Sequence, residues 1–312
     1  MTRRRSRGRA IAAVAASLAL TLGAVACSSD NSSGGTGENA LAGSDQASLD
    51  EYTTDDVVPL DQIDTSNIGL TQPGTLYVGT LSDAPPNIFI DESGRFTGFD
   101  NELLRAIGEK LDLDVQFAAT EFSGLLAAVD NKVYDVGSSS ISTTDARRQT
   151  VAFTNGYDFG EMALVAKNDY DIRTIAELDT QQRIGVVQGT VQDDYVTNTL
   201  GIEPVRFPDY NTAYANVKSG QIDAWVAPSQ QASGQVKAED DVAILEKTVN
   251  TTNFTAYAVS DDNQPLIDAL NSGLDAVVAD GTWNTLEQEW YPDRETPSDW
   301  KPGSKASTLP AS

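Results

Sequence analysis

A short polar stretch near the middle of the chain carries side chains that could bind an anion. Residues 144–147 (Thr-Asp-Ala-Arg) indicate a capped helical turn, whose free backbone N–H groups favour negative charge. Arg147 adds a planar guanidinium fork that fits a carboxylate in a bidentate geometry that lysine cannot supply. Ser140 and Ser142 precede this turn and add hydroxyl and backbone donors. The pattern predicts a carboxylate site, although a surface turn with an exposed arginine would have the same sequence.

Composition excludes several other kinds of chemistry. The chain has no histidine and a single cysteine, Cys27, so the usual catalytic triads and zinc sites cannot be built. Its formal charge is −25, which repels nucleic acid and anionic lipid surfaces and excludes both as partners. We expect ligand binding without metal, cofactor or covalent chemistry.

The elements that must position the polar stretch follow an alternating pattern. Apolar periodicity predicts strands at residues 76–80, 115–117, 135–137, 184–187 and 222–226. It predicts helices from Asp100, from Ser123, from about Val191 and around residues 213–217, with Asp100 and Ser123 as N-caps. Strands that alternate with helices imply mostly parallel sheets covered on both faces. Ligands of such sheets gather at the carboxyl ends of the strands.

The N-terminus reads as an export signal followed by a lipid-attachment site. Five arginines lie within the first nine residues, and an uninterrupted small and apolar run leads to Cys27. Residues 24–27 (Ala-Val-Ala-Cys) resemble a lipobox with alanine where leucine is usual, so Cys27 is expected to be acylated. A plain secretory signal with an incidental cysteine and a membrane-spanning helix are the alternatives, but the run is short for a span. The adjacent arginines at residues 3–5 offer a twin-arginine motif, so the sequence does not decide which export pathway the signal uses.

Removal of the predicted signal peptide, residues 1–26, changes the charge further. This segment holds five arginines and no acidic residue, so the formal charge falls from −25 to −30. Residues 27–72 are predicted to be a tether and spacer because most of them are polar or small, and residues 294–312 are predicted to be a flexible tail. The sequence leaves open whether residues 51–72 pack on the folded body.

Four motifs in a fixed order resemble the bacterial family 3 extracellular solute-binding proteins, the polar amino acid receptors of ABC importers. They lie in residues 79–100 (GTLSDAPP to GFD), 139–153 (SSISTTDAR, then VAF), 185–224 (GVVQGT, then GQIDA) and 279–291 (ADGTW, then EWY). The resemblance implies an α/β, two-lobed periplasmic-binding-protein-like fold of type II with a two-strand hinge. Lobe 1 would comprise residues 73–164 plus 256–293, and lobe 2 residues 167–252. Ligand would bind between them as they close.

The resemblance also implies which residues contact the ligand. In the family the serines and arginine that match Ser140, Ser142 and Arg147 hold the ligand's α-carboxylate. Phe122 matches an aromatic that covers the ligand's side chain, although a core phenylalanine is nearly as plausible. Gly189 and Thr190 lie in the first strand-to-helix turn of lobe 2, where glycine permits close backbone approach and the threonine would donate across the cleft. An ordinary turn is the alternative for this pair.

Three positions depart from the family pattern. The aspartate that accepts the ligand's α-ammonium is replaced by Pro228, which offers no side-chain acceptor and no N–H donor. Two further contact positions, an acid and an aromatic in some members, are Leu81 and Ala84. The ligand is therefore expected to be an unusual amino acid or a carboxylate without a primary amine, unless another acceptor substitutes. The candidates for that role are Asp83, Asp158, Glu161, Ser229 and Gln230.

The resemblance favours a monomeric, lipid-anchored receptor on the outer face of the cell membrane that delivers ligand to an ABC permease. A ligand-sensing module for a membrane or cell-wall partner is an alternative. An enzyme like cyclohexadienyl dehydratase, a relative of the fold, is less favoured because no acid–base pair is evident from spacing. Trp225, Trp283 and Trp290 are expected to be packing residues, and Tyr157 and Phe159 are expected at the rim of the cleft.

Overall fold

The computed structural model describes residue 54 and residues 56–237, 241–292, 294 and 301–303. The predicted signal peptide, residues 27–53 of the predicted tether and spacer (Cys27 included) and most of the predicted tail lie outside these residues. No helix in the described ranges is both long and apolar enough to cross a membrane.

The described chain contains twelve strands and eight α-helices. The strands are β1 (Thr75–Thr80), β2 (Asp83–Ala84), β3 (Ile88–Ile90), β4 (Phe96–Thr97), β5 (Asp114–Ala119), β6 (Val136–Ser142), β7 (Val151–Phe153), β8 (Asp158–Lys167), β9 (Ile184–Val187), β10 (Val205–Phe207), β11 (Ala224–Pro228) and β12 (Val242–Ser260). The helices are α1 (Phe99–Lys110), α2 (Phe122–Asp130), α3 (Asp145–Arg148), α4 (Val191–Asp194), α5 (Tyr210–Ser219), α6 (Ser229–Gln235), α7 (Gln264–Ala279) and α8 (Thr282–Trp290). A π-helical turn, Tyr195–Thr199, continues α4.

The strand order explains how two lobes share one sheet. In the described chain nine strands form a sheet whose main path runs β10-β9-β11-β8-β12-β6-β1-β5, with β7 beside β12, and β2, β3 and β4 form a small second sheet. Strands β5, β1 and β6 pair in parallel in the first lobe, and β9, β10 and β11 pair in parallel in the second. Between them β8 and β12 run antiparallel to each other and join the two groups. The predicted mostly parallel, two-lobed α/β fold is confirmed.

Three predicted element boundaries are wrong, each for a local reason. Helix α1 begins after Gly98, whose φ of 103° suits glycine, so Asp100 lies inside the first turn rather than at the cap. Helix α2 begins at Phe122 after Glu121, one residue before the predicted Ser123 cap. Strand β11 extends to Pro228 and begins two residues later than predicted, because a turn follows the left-handed Gly220 at the end of α5.

The predicted strand at residues 184–187 is confirmed, and the packing roles predicted for the tryptophans agree with their burial. Trp225 is fully buried between Tyr210 and Tyr214, and Trp283 is buried against Phe99. A second apolar cluster lies mainly in the second lobe. Its members are Met162, Leu164, Ala166, Ile175, Leu178, Ile184, Val186, Val196, Ile202, Ala224 and Val226.

The predicted spacer reaches too far along the chain, because its last part packs on the first lobe. Ile68 is buried in the main core, and Leu60, Ile63 and Leu70 pack against the same core. The Asp135 carboxylate accepts hydrogen bonds from the backbone N–H and the hydroxyl of Thr71, at 2.8 and 3.2 Å. The described residues from 54 to 72 therefore belong to the folded body, and we name residues 56–72 the strap.

The predicted tail likewise begins too early. The side chain of Arg294 is 9% exposed, and its Nη1 lies 2.9 Å from both carboxylate oxygens of Asp158. Its guanidinium also lies 4.1 Å from the centre of the Tyr291 ring. A buried arginine paired in this way is part of the body.

Candidate functional site

A polar cleft lies between the lobes, next to the linking strand β8. Its walls come from the ends of β6 and β11, from β8, and from the first turns of α2, α4, α5 and α6. The lining residues are Asn87, Phe122, Ser139, Ser140, Ser142, Arg147, Asp158, Phe159, Gly160, Glu161, Met162, Thr190, Val191, Gln192, Tyr210, Pro228, Gln230, Gln231 and Thr255.

The structure brings the predicted anion-binding turn to this cleft. Thr144 caps α3, and its hydroxyl accepts a hydrogen bond from the backbone N–H of Arg147 at 3.3 Å. The Arg147 guanidinium then reaches across the cleft: Nη1 donates to the Ser142 carbonyl at 2.8 Å and Nη2 to the Gly189 carbonyl at 3.1 Å.

These contacts leave the arginine able to bind an anion. A guanidinium has five N–H donors, so three stay free beyond the two carbonyl contacts. No carboxylate of the described residues forms an ion pair with Arg147. Burial lowers the pKa of Arg147 to about 10, so the group is still cationic at neutral pH. A half-buried cation without a carboxylate partner favours an anionic ligand.

Ser140 and Ser142 both line the cleft, but they differ in what they can offer. Ser140 has a φ of 46°, and its backbone N–H and hydroxyl both donate to the Asp100 carboxylate, at 2.7 and 2.8 Å. Its two donors are therefore engaged within the protein. Ser142 lies at the end of β6, and its carbonyl is held by Arg147, which fixes the strand end beside the guanidinium.

Phe122 is both a buried residue and a wall of the cleft. It begins α2, and its ring lies under the Arg147 guanidinium with 5.0 Å between the guanidinium carbon and the ring centre. An arginine stacked over an aromatic face is attracted by the ring and loses side-chain freedom. The contact therefore helps to orient the Arg147 guanidinium in the cleft.

Gly189 and Thr190 act through the backbone and through capping. Gly189 has a φ of 77°, a left-handed conformation that favours glycine, and its carbonyl oxygen accepts a hydrogen bond from Arg147. The Thr190 hydroxyl donates to the Val187 carbonyl at 2.8 Å and accepts from the Asp193 N–H at 3.2 Å as the cap of α4. Its hydroxyl is thus engaged within the turn, although the residue lines the cleft.

A second contact joins the lobes outside the cleft. The Asp83 carboxylate accepts hydrogen bonds from the backbone N–H groups of Tyr210 and Asn211, at 2.9 and 3.1 Å. Burial raises the pKa of Asp83, and the Asn211 N–H opposes that rise. Asp83 caps the start of α5 from the opposite lobe, so it does not line the cleft.

The positions that depart from the family pattern divide into two groups. Leu81 and Ala84 are buried in the core of the first lobe and lie outside the cleft lining. Pro228 does line the cleft, at the last pair of β11 and β8, where it faces Met162. The Glu161 carboxylate lies beside that pair, 3.4 Å from the amide nitrogen of Gln230.

Several cleft residues were not singled out by sequence reasoning. Asn87 follows two prolines and Tyr210 follows the Asp209 cap of α5, so turn chemistry was their only signal. Gln231 carries no signal of its own. Tyr157, predicted at the rim, is instead fully buried: its ring stacks on Tyr257, and its hydroxyl donates to Asp100 at 2.7 Å.

Two lobes, two linking strands and a polar cleft between the lobes define a type II periplasmic binding protein. The family model for bacterial extracellular solute-binding proteins, family 3, matches residues 76–293. The chain therefore belongs to that family.

Individual relatives agree with the family assignment. The L-cystine-binding protein TcyJ of Escherichia coli is 28% identical over 221 residues, which cover 70% of this chain and 83% of TcyJ. The structure of an ancestral arginine-binding protein bound to arginine is similar with a TM-score of 0.66 and 30% identity, over 70% of this chain and 98% of that one. An ancestral amino acid-binding protein, AncCDT-1, described as a precursor of cyclohexadienyl dehydratase, is similar with a TM-score of 0.64 and 26% identity, over 70% and 96%.

Proposed function

We propose that this protein is an extracytoplasmic receptor that captures an amino acid or a related small carboxylate and delivers it to an ABC permease. The observation that carries the proposal is Arg147, a half-buried guanidinium in a polar cleft with no carboxylate partner among the described residues. A ligand carboxylate would complete its hydrogen bonds in the bidentate geometry that arginine favours. The relatives are named as amino acid-binding proteins, which supports the same ligand class.

The lobes would close on the ligand by bending at the two linking strands. We place lobe 1 at residues 73–164 plus 256–293 and lobe 2 at residues 167–252, with the strap added to lobe 1. Strands β8 and β12 are where the sheet passes from one lobe to the other, so a small change in their dihedral angles would move the lobes as rigid bodies. Ser142, Phe122 and Thr190 would then wall the ligand beside Arg147, and Gly189 would hold the arginine.

We further propose that the receptor is anchored by lipid on Cys27 after removal of residues 1–26. The basic start, the short apolar run and the cysteine directly after it support this. Twenty-six residues separate Cys27 from Thr54, whose backbone N–H donates to Asn155 at 3.1 Å. A polar segment of this length would let the binding lobes stand clear of the membrane surface.

Binding without catalysis fits the cleft better than a dehydratase does. General acid–base chemistry needs a carboxyl group that is free to exchange protons with a substrate. Among the described cleft residues, the Asp158 carboxylate is held in an ion pair by Arg294 at 2.9 Å. Glu161 therefore has no second free carboxyl group in the described cleft with which to share the roles of acid and base. A further relative is named the ABC transporter arginine-binding protein 1 of Escherichia coli, which favours delivery to a permease over sensing.

The test is a thermal-shift measurement on residues 28–312 with a panel of L-amino acids and simple carboxylates. A ligand that binds only the folded state raises the melting temperature with its concentration. At least one amino acid or carboxylate should stabilise the wild type, and Arg147→Ala should abolish the shift. Arg183→Ala is the matched control, because Arg183 is exposed and pairs with Asp223 away from the cleft. No shift from the whole panel, or an unchanged shift in Arg147→Ala, would contradict the proposal.

A further inference from the structure

We propose that Glu161, on the linking strand β8, takes the α-ammonium of the ligand, and that the ligand is an amino acid with an uncharged side chain. This inference rests on the proposed function and assigns the second charged contact of the same cleft. It replaces the expectation, drawn from Pro228, of a ligand without a primary amine.

The position of Glu161 fits the role because it lies one strand away from the missing aspartate. Pro228 is paired with Met162 across β11 and β8, and Glu161 is the neighbour of Met162. Paired residues of adjacent antiparallel strands are about 5 Å apart at their Cα atoms. Successive side chains of a strand leave the sheet on opposite faces, so Glu161 does not share the face of the residue 228 side chain. Both residues nevertheless line the cleft at this end of the sheet, where the Glu161 carboxylate lies beside the space proposed for the ligand.

The other acidic residues near the cleft are already engaged. Asp158 forms its ion pair with Arg294, and Asp83 holds the start of α5 outside the cleft. Asp100 is fully buried and accepts hydrogen bonds from Ser140 and Tyr157. Each of these carboxylates would have to abandon a protein partner to bind an ammonium group.

Glu161, by contrast, has an incomplete set of partners. It is half-buried and lines the cleft, and its carboxylate accepts a hydrogen bond from Gln230 at 3.4 Å. No arginine or lysine of the described residues forms an ion pair with it. A half-buried carboxylate in this state gains most from a cationic group that also donates hydrogen bonds, as a primary ammonium does.

Two buried amide oxygens in the cleft also accept no hydrogen bond from the described residues. The Oδ1 atom of Asn87 and the Oε1 atom of Gln231 have no hydrogen-bond partner, and these residues are 2% and 1% exposed. The Asn87 amide is oriented by its nitrogen, which donates to the Ser140 hydroxyl at 2.9 Å, so its oxygen is left as an acceptor. Buried acceptors without a partner are costly, and N–H groups of a ligand would satisfy them.

The charges of the cleft then fix the side-chain class. Arg147 matches the ligand's carboxylate and Glu161 its ammonium, while Asp158 is neutralised by Arg294. Leu81 and Ala84 are apolar and buried outside the cleft, so they supply no charge for a ligand side chain. A cationic or anionic side chain would therefore enter the cleft without a counter-charge, which disfavours it.

The test compares Glu161→Gln with wild type by calorimetric titration, using L-glutamine, L-methionine, L-arginine and L-glutamate. Each is paired with its analogue in which hydrogen replaces the α-amino group. Glu109→Gln, an exposed change on α1, is the control. For wild type we expect a neutral amino acid to bind at least about tenfold more tightly than L-arginine or L-glutamate, and than its own deaminated analogue. Glu161→Gln should weaken the amino acid about tenfold or more and change the analogue less than about twofold.

The outcomes separate the inference from the proposed function. Equal weakening of the amino acid and its analogue in Glu161→Gln, or none, would show that Glu161 does not read the amine, while Arg147-dependent binding would still stand. Tighter binding of L-arginine or L-glutamate than of neutral amino acids would overturn the neutral class. If the wild type bound no member of the thermal-shift panel, the receptor function itself would fall, and this inference with it.

Discussion

The Nη2 atom of Arg147 lies 3.1 Å from the carbonyl oxygen of Gly189, and this hydrogen bond joins the first lobe to the second across the cleft. The Asp83 carboxylate makes a second junction with the backbone N–H groups of Tyr210 and Asn211. Both contacts use main-chain atoms of the second lobe. The arginine proposed to hold the ligand therefore also holds the lobes together, which would couple ligand binding to closure.

Gly234→Ala should weaken ligand binding by blocking closure. A Cβ atom at Gly234, on α6 of the second lobe, would overlap the carbonyl oxygen of Pro85 in the first lobe. Backbone cannot yield as a flexible side chain can, so the lobes would stop short of their present contact. We expect the dissociation constant to rise about tenfold or more, equivalent to about 1.4 kcal/mol of binding free energy.

Calorimetric titration measures the affinity, and Gly124→Ala is the matched control. Gly124 also lies in a helix, α2, but a Cβ atom there would meet nothing within 4 Å. Alanine in a helix raises stability by about 0.4–1 kcal/mol where it fits without strain, so Gly124→Ala should melt at or above the wild-type temperature without ligand. Equal affinity of Gly234→Ala and wild type would show that this contact does not accompany binding.

Arg294→Met should destabilise the protein strongly at neutral pH. The change leaves Asp158, which is 2% exposed, buried without its counter-charge. Loss of one partner of a buried ion pair costs about 3–5 kcal/mol. Arg183→Met is the comparison, because the exposed Arg183–Asp223 pair should contribute less than about 1 kcal/mol.

Urea unfolding at neutral pH measures both free energies. Adding Asp158→Asn to Arg294→Met should recover part of the loss, since the unpaired charge is then absent. Similar small losses in Arg294→Met and Arg183→Met would mean that Arg294 belongs to a loose tail, as its sequence context had suggested.

Removal of the strap should destabilise the folded body without changing its affinity for the ligand. A chain that begins at residue 73 loses the burial of Ile68 and the two hydrogen bonds between Thr71 and Asp135. Burial of one such side chain stabilises by about 1.5–3 kcal/mol, so a loss of about 3 kcal/mol or more is expected in urea unfolding. A chain that begins at residue 54 should match the chain that begins at residue 28.

The strap lies outside the cleft lining, so the dissociation constants of the chains beginning at 54 and 73 should agree. Equal stability of the chains beginning at 54 and 73 would show that the strap is a spacer after all.

The alternating strands and helices could be predicted because periodicity is local. Residues 184–187 form a strand as predicted, and Thr144 caps α3 as predicted. The roles of Asp100 and Arg294 could not be predicted, because each depends on a partner far along the chain. Aspartate is a residue type that often caps helices, yet the Asp100 carboxylate accepts hydrogen bonds from Ser140 and Tyr157 instead. Arg294 lies in a polar stretch, yet it pairs with Asp158, 136 residues away.

The candidate site shows the same division. Arg147 was evident because arginine after a capped turn has a chemical meaning in sequence. The engagement of Ser140 and Thr190 within the protein was not, because a sequence shows that a hydroxyl exists but not where it donates. The choice among five possible substitutes for the missing aspartate likewise required the three-dimensional structure. It depended on the place of Glu161 in the cleft lining and on the partners already held by Asp83 and Asp158.

Asp100 should make stability depend on pH in a direction opposite to that of an ordinary surface carboxylate. Burial raises its pKa from the usual 3.8 to about 6, although hydrogen bonds from Tyr157 and Ser140 lower it. Because the folded pKa is the higher one, the folded state binds the proton more tightly than the unfolded state does. Ionisation of Asp100 therefore costs stability above about pH 6, and that cost disappears below about pH 4.

Asp100→Asn removes this dependence, so wild type should gain stability relative to the variant on acidification. Between pH 7 and pH 4.5 we expect a relative gain of about 2 kcal/mol, measured by urea unfolding of both proteins without ligand. For Asp262→Asn we expect the opposite change of stability with pH, because hydrogen bonds from Lys132 and Ser260 lower the pKa of exposed Asp262. Wild type should lose stability relative to that variant as the pH falls below about 4, so the profiles of this pair are extended to lower pH. Parallel pH profiles for wild type and Asp100→Asn would show that Asp100 keeps an ordinary pKa in the folded protein.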